Sequence, residues 1–260
     1  MAKKEKSEYI IQAVSHALDL LEQFHGDVDE LGVTELSKRL KLHKNNVFRL
    51  LATLESRGYI EQNRATENYR LGLKSLELGQ TFIKQMGLLR QAKPILDRLV
   101  QGCNETSYVA IFKEGHVVYL DVVETDLTVR VVSRVGSRLP AYCTAAGKVH
   151  LAYMSDEEID ALLPSRELKG YTPNTFVDRE VLKKELRQIA EQGYAIDNEE
   201  LDLGVRCVAA PIRDYTRRIV GAVSISGPSM RLPDDRLEKD LIPLVTHSAE
   251  DLSTRLGYHK

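Results

Sequence analysis

Apolar residues recur at three- and four-residue spacings over residues 9–24. There Ile10, Val14, Ala17, Leu18, Leu21 and Phe24 predict one apolar face of an amphipathic helix. The Gly26–Gly32 stretch interrupts it. A short second helix is predicted from Thr34, a suitable N-cap, with Leu36 and Leu40 facing inward. From Lys44 onward Val47, Leu50, Leu51 and Leu54 supply the stripe of a third helix, which Asn45 can cap and Gly58 stops. Residues 59–63 and 68–71 then alternate as two strands around a polar turn at 64–67. Three helices followed by a hairpin is the order of a winged helix-turn-helix.

The helical period returns over 72–104, where Leu73, Leu76, Leu78 and Phe82 precede Met86 and Gly87. Ile95, Leu96, Leu99 and Val100 follow Pro94, so a linker helix with a break near Gly87 is expected. From Thr106 the texture becomes β: strands are predicted at 107–112, 117–123 and 128–132, with a turn at 113–116. Helices are expected at 145–154, 156–163 and 178–192, strands at 194–197, 207–212 and 219–226, and one long helix over 233–256. The fold class is α+β. The expected domains are 1–72, a linker and short helix at 73–104, and a sheet-containing domain at 105–260.

Composition narrows the class. The 260 residues carry 36 Lys and Arg against 38 Asp and Glu, with 43% hydrophobic residues, which suits a folded chain of two domains. No apolar run reaches the ~18–20 uncharged residues of a membrane helix, and the basic start has no apolar core behind it. No membrane partner is expected. Cys103, Cys143 and Cys207 form neither a CxxC pair nor an even disulfide set, which suggests free thiols in a cytoplasm. No metal or cofactor is expected either.

A net charge of −2 argues against binding nucleic acid over the whole surface, but charge is not evenly spread. Lys38, Arg39, Lys41, Lys44 and Arg49 fall within a dozen residues that hold no acid. A basic corner alone is usually a solvated face. Here it joins two short helices ahead of a hairpin, so the second helix would present Lys44, Asn45, Asn46 and Arg49 to the major groove of double-stranded DNA. Asn pairs bidentately with adenine and Arg with guanine or phosphate, while Arg64 on the wing would meet a phosphate or the minor groove.

A second group of residues lies in the β-rich half. Pro140 ends a strand, Thr144 can cap the next helix, and Ala145, Ala146 and Gly147 are small enough for a ligand to approach backbone amides at the helix start. Asp197, Cys207, Ser224 and Ser226 are polar residues in or beside apolar strands, and Ser224 and Ser226 share one strand face. Singly, each reads as a cap, an apolar filler or a backbone-bonding hydroxyl; together they describe a pocket. Two functions compete for it: a binding site for a small-molecule effector, or a cysteine-dependent enzyme acting on a small acid with Cys207 as nucleophile. The enzyme needs a base, which only His116 or His150 could supply through folding.

Nearly the whole chain resembles the IclR family of bacterial transcription regulators. The resemblance runs from Thr34-Glu-Leu-Ser and Arg49-Leu-Leu-Ala-Thr-Leu-Glu through the specific segment Gly193-Tyr-Ala-Ile-Asp-Asn-Glu-Glu-Leu-Asp-Leu-Gly-Val-Arg-Cys-Val-Ala-Ala-Pro-Ile-Arg-Asp to Gly221-Ala-Val-Ser-Ile-Ser-Gly-Pro. It implies an N-terminal winged helix, a linker helix, a GAF-like effector domain and assembly as a homodimer or homotetramer. It also implies an effector that is a small organic acid or aromatic compound, held by the Ala145 and Ala146 amides, Asp197, Cys207, Ser224 and Ser226. One departure stands out: the third helix starts His43-Lys-Asn-Asn where the family commonly reads Pro-Lys-Ser-Thr, so base preference does not carry over.

Overall fold

In a computed structural model, residues 10–24, 28–85, 87–132, 134–163 and 168–259 are described, with the backbone alone at 80 and 82–85. The expected helix start at Tyr9, the break at Gly26, the Phe82 side chain and Met86 lie outside these. The chain divides into two compact units, residues 1–85 and 86–260.

The first unit contains α1 (Gln12–Leu21), α2 (Val33–Leu40), α3 (Lys44–Ser56), a hairpin of β1 (Ile60–Gln62) and β2 (Tyr69–Leu71), and α4 (Leu73–Gln85). Leu20, Leu36, Val47, Leu51, Ile60 and Tyr69 form its core. The α1 face differs from expectation: Leu20 is fully buried, whereas Ile10, Val14 and Leu18 are more than half exposed. Both predicted caps also move. α2 starts at Val33 with Gly32 as N-cap, placing Thr34 inside the first turn. That start follows directly on the Leu31–Tyr69 bridge to the wing, and a Cβ on Gly32 would stand 2.8 Å from Asn68 Oδ1. α3 is capped by His43, whose Nδ1 accepts from the Asn45 amide at 3.3 Å, so the Asn45 side chain is not the cap. Gly58 ends this segment in the left-handed region, φ 75°.

The second unit opens with α5 (Gly87–Cys103) and is built on one antiparallel sheet of order β5-β4-β3-β8-β7-β6. Its strands are β3 (Thr106–Lys113), β4 (His116–Val123), β5 (Arg138–Pro140), β6 (Ala195–Asn198), β7 (Val205–Arg213) and β8 (Ile219–Pro228). Alternating side chains divide between its faces. Tyr108, Ala110, Ala209 and Ala222 pack with α6 (Ala145–Leu151), α7 (Asp156–Leu162) and α8 (Arg179–Gln192). Val109, Val208, Val223 and Ile225 pack with α5 and the C-terminal helices. Burial on both sides explains why β3 and β8 read as nearly unbroken apolar runs.

The strand expected at 128–132 does not form, and the sheet ends instead at Arg138–Pro140. Side chains take the backbone acceptors that a ladder would have used: Arg231 donates to the Val129 carbonyl at 2.8 Å, Thr106 to Val131 at 3.2 Å and Tyr108 to Val132 at 2.9 Å. α6 ends at Leu151 rather than Met154. The expected C-terminal helix is divided into α9 (Asp234–Arg236), a π turn (Leu237–Leu241) and α10 (Ile242–Arg255). Pro243 has no amide to donate back into that turn.

Candidate functional site

On the first unit, Lys44, Asn45, Asn46 and Arg49 are exposed on α3, opposite the buried Val47, Leu51 and Leu54. Asn46 and Arg49 also line a groove with Ala13 and His16 of α1. Among the described residues no carboxylate pairs with Lys44, Arg49 or Arg64, whereas Arg39 of the same basic corner is tied to Glu35 at 2.9 Å. Arg64 is exposed at the wing turn. That turn is anchored by Glu30, which accepts from Asn63 and Thr66 at 2.7 Å each, and these bonds hold its carboxyl below the ordinary range. Phe48, 56% exposed beside these residues, was missed by the sequence reading; it lies outside the buried stripe, which was the available signal.

On the second unit, register aligns a polar row across four strands: Thr106, Ser226, Cys207 and Asp197 are successive cross-strand partners on β3, β8, β7 and β6. Ser224 lies one step further along the same face, between Tyr108 and Ala209, and is buried. A cavity of about 20 Å³ abuts the row, lined by Asp197, Cys207 and Ser226 with Tyr108, Thr144 and, unforeseen from sequence, Arg134 and Asp202. Ser224, Ala145 and Ala146 are not in its wall. Thr144 is, and it caps α6 by accepting from the Gly147 amide at 3.2 Å, leaving the Ala145 and Ala146 amides ahead of the first closed turn. Gly147 is required there, since a Cβ would fall 2.2 Å from the Ala141 carbonyl oxygen. A larger recess of about 440 Å³, lined by Tyr153 and Arg213 at the far end of β7, holds none of the predicted residues.

The chemistry of the wall is that of a binding site. Ser226 Oγ donates to Cys207 Sγ at 3.0 Å, and burial pushes the Cys207 thiol far above its ordinary pKa, so it is not a thiolate. Neither histidine serves it: His116 bonds to the Glu114 carbonyl, and His150 stacks on Phe112 with burial lowering its pKa to about 4. Asp197 accepts from the Glu200 amide at 2.7 Å; burial, then the Glu200 charge, raises its carboxyl to about 7. Glu200 is held in turn by the fully buried Lys148 ammonium at 2.5 Å, which also donates to the Ile196 carbonyl.

A winged helix with an open basic face, carried in one chain with a sheet domain enclosing a polar cavity, defines a ligand-responsive transcription regulator. Residues 13–64 match the IclR helix-turn-helix domain and residues 80–254 match the bacterial transcriptional regulator IclR C-terminal domain. The chain belongs to the IclR family. It is 37% identical over 249 residues to the HTH-type transcriptional regulator XynR of Escherichia coli, covering 96% of this chain and 98% of XynR. Solved structures of a regulator from Rhodococcus sp. RHA1 and of the Thermotoga maritima IclR superpose with TM-scores of 0.85 and 0.77. Each is 30% identical, and each comparison covers 95% of this chain and 99% of the other. These relatives are regulators, and the cysteine-enzyme alternative falls with them.

Proposed function

We propose that α3 reads a double-stranded DNA operator through Asn45 and Asn46, with Lys44, Arg49 and the wing residue Arg64 on phosphates or base edges. The absence of carboxylate partners for the three cations, among the described residues, carries this assignment: none of those residues competes with DNA for them. Residues 1–72 act as the DNA-binding domain, 73–104 as the linker and 105–260 as the effector domain. The effector is a small organic or aromatic acid, held by Asp197, Cys207, Ser224, Ser226 and the Ala145 and Ala146 amides. It acts through differential affinity for DNA-competent and DNA-incompetent states. The regulator works in the cytoplasm as a homodimer or homotetramer. The apolar surface of Val14 and Leu18 on α1 and Leu71 and Leu78, lining a recess of about 510 Å³, supports self-association.

Gel shifts on fragments selected from a random-sequence pool test the DNA assignment. Lys44→Ala weakens all fragments alike and reduces the salt slope by about one. Asn46→Ala costs about 1–3 kcal/mol and relaxes preference at one base position. Undiminished affinity in the double variant would show that α3 is not the reading helix.

A further inference from the structure

We propose that Arg134 binds the carboxylate of the effector, and that Asp202 holds its guanidinium in reserve until the effector arrives. The inference rests on the cavity being the effector site. Arg134 is the only cation among the described residues that line it, and the two acids there are Asp197 and Asp202. Its Nη2 donates to Asp202 Oδ2 at 2.5 Å, across 68 residues of sequence, with the side chains 28% and 44% exposed. An ion pair open to water on one side is weakly held. Exchanging its carboxylate for another conserves the charge on both sides of the exchange.

Three of the wall's hydroxyls are already committed, and among the described residues only that of Tyr119 has no hydrogen bond. Ser226 Oγ donates to Cys207, Tyr108 OH to the Val132 carbonyl, and Thr144 Oγ1 to the carbonyls of Pro140 and Ala141. One neutral hydroxyl cannot offset an anion brought beside the buried Asp197, whereas a guanidinium offers both charge and a fork matched to a carboxylate. The backbone at Arg134 is fixed: its carbonyl accepts from the Ser137 amide at 2.9 Å, and the Gly136 amide donates to the Tyr119 carbonyl at 2.8 Å. Only the side chain has to turn. A monocarboxylate occupies several times the 20 Å³ of the cavity, so part of the wall must give way. The Arg134–Asp202 pair is the ionic, solvent-facing part of it. The pair thus selects for acids: a neutral amide of the same shape has no charge to offer in place of Asp202.

Calorimetric titration of the full-length protein with lactate, pyruvate and benzoate, each beside its neutral amide, tests this. At least one acid binds and its amide binds more weakly. Arg134→Gln weakens the acid by about ten- to a hundredfold and removes the acid–amide difference, while Asp202→Asn tightens the acid because the competitor is gone. Arg134→Lys, which keeps charge without the fork, falls between wild type and Arg134→Gln. Melting curves establish that each variant is folded. Three results overturn the proposal: no acid binds, acid and amide bind alike, or the Arg134→Gln and Asp202→Asn variants shift affinity in the same direction, as a merely structural pair would. Ser226→Ala separates the two readings. If it weakens the acid while Arg134→Gln does not, the cavity stands and the role of Arg134 falls; if neither changes binding, the cavity assignment falls as well.

Discussion

At the scale of single residues, Asp197 joins the cavity to the pH of its surroundings. Burial and the Glu200 carboxylate raise its pKa from 3.8 to about 7, against the Glu200 amide and the Lys148 ammonium, and Asp202 adds a further acid nearby. Between about pH 4 and 7 the folded chain thus holds a proton that the unfolded chain has released. That contribution to stability is present at the acid end and is lost as pH rises through 7, by up to about 1.4 kcal/mol per pH unit. His150 has the opposite sign: with a folded pKa near 4, below its ordinary 6.5, it lowers stability as pH falls through that interval. Above pH 6.5 Asp197 acts without that opposition. Asp197→Asn, which retains an oxygen for the Glu200 amide, should be more stable relative to wild type at pH 8 than at pH 6, as read from urea midpoints. A carboxylate bound beside Asp197 favours its neutral form, so acid affinity should fall as pH rises through 7 in wild type and much less in Asp197→Asn.

At the scale of elements, the effector unit is tied together at Glu105. This residue stands between α5 and β3, is 1% exposed, and receives Arg231 Nε at 2.7 Å and Nη2 at 2.6 Å together with Arg236 Nη1 at 3.1 Å. Arg236 also donates to the Cys103 carbonyl, and Arg231 to the Val129 carbonyl, so one carboxylate holds the end of α5, the turn after β8, α9 and the 128–132 segment. Gly227 makes room for it, since a Cβ there would stand 2.6 Å from Glu105 Oε2. Removing the anion leaves two guanidinium groups facing each other with only backbone carbonyls as partners. Glu105→Ala should therefore cost about 3 kcal/mol in chemical denaturation followed by circular dichroism. Arg236→Ala should cost less, because Arg231 keeps its bidentate hold.

At the scale of the whole molecule, the apolar side chains that the DNA-binding unit leaves uncovered matter most. Val14 and Leu18 are 53% and 54% exposed on α1, and Leu76 and Leu78 are 58% and 61% exposed on α4. Self-association through this surface would give symmetric operators and an effective-concentration gain for paired half-sites. Leu18→Glu should lower the mass measured by light scattering and weaken binding to a palindromic fragment by more than to its isolated half-site. The fold of the unit should be untouched, since the core residue of α1 is the fully buried Leu20.

What local pattern determines was legible in the chain: helix periods, the hairpin turn, strand alternation and the αL glycine at 58 arise from forces acting within a few residues. Polar residues set in apolar strands marked a pocket, and the resemblance of the 193–214 and 221–228 segments to a known family gave them an effector's role; of them Asp197, Cys207 and Ser226 line the cavity. Tertiary structure decided the rest. The alternation of 128–132 suits a strand, but Thr106, Tyr108 and Arg231 arrive from elsewhere to take its carbonyls. α2 starts one residue ahead of Thr34, directly after the Leu31–Tyr69 bridge to the wing, so a tertiary contact and not the capping preference of Thr34 adjoins its first turn. Apolar periodicity identifies a helix face without saying what covers it, so Val14 on the predicted face is left exposed while Leu20, off that face, is fully buried. Arg134 and Asp202 sit in irregular segments 68 residues apart, and only chain folding puts a cation and its competitor on one cavity wall.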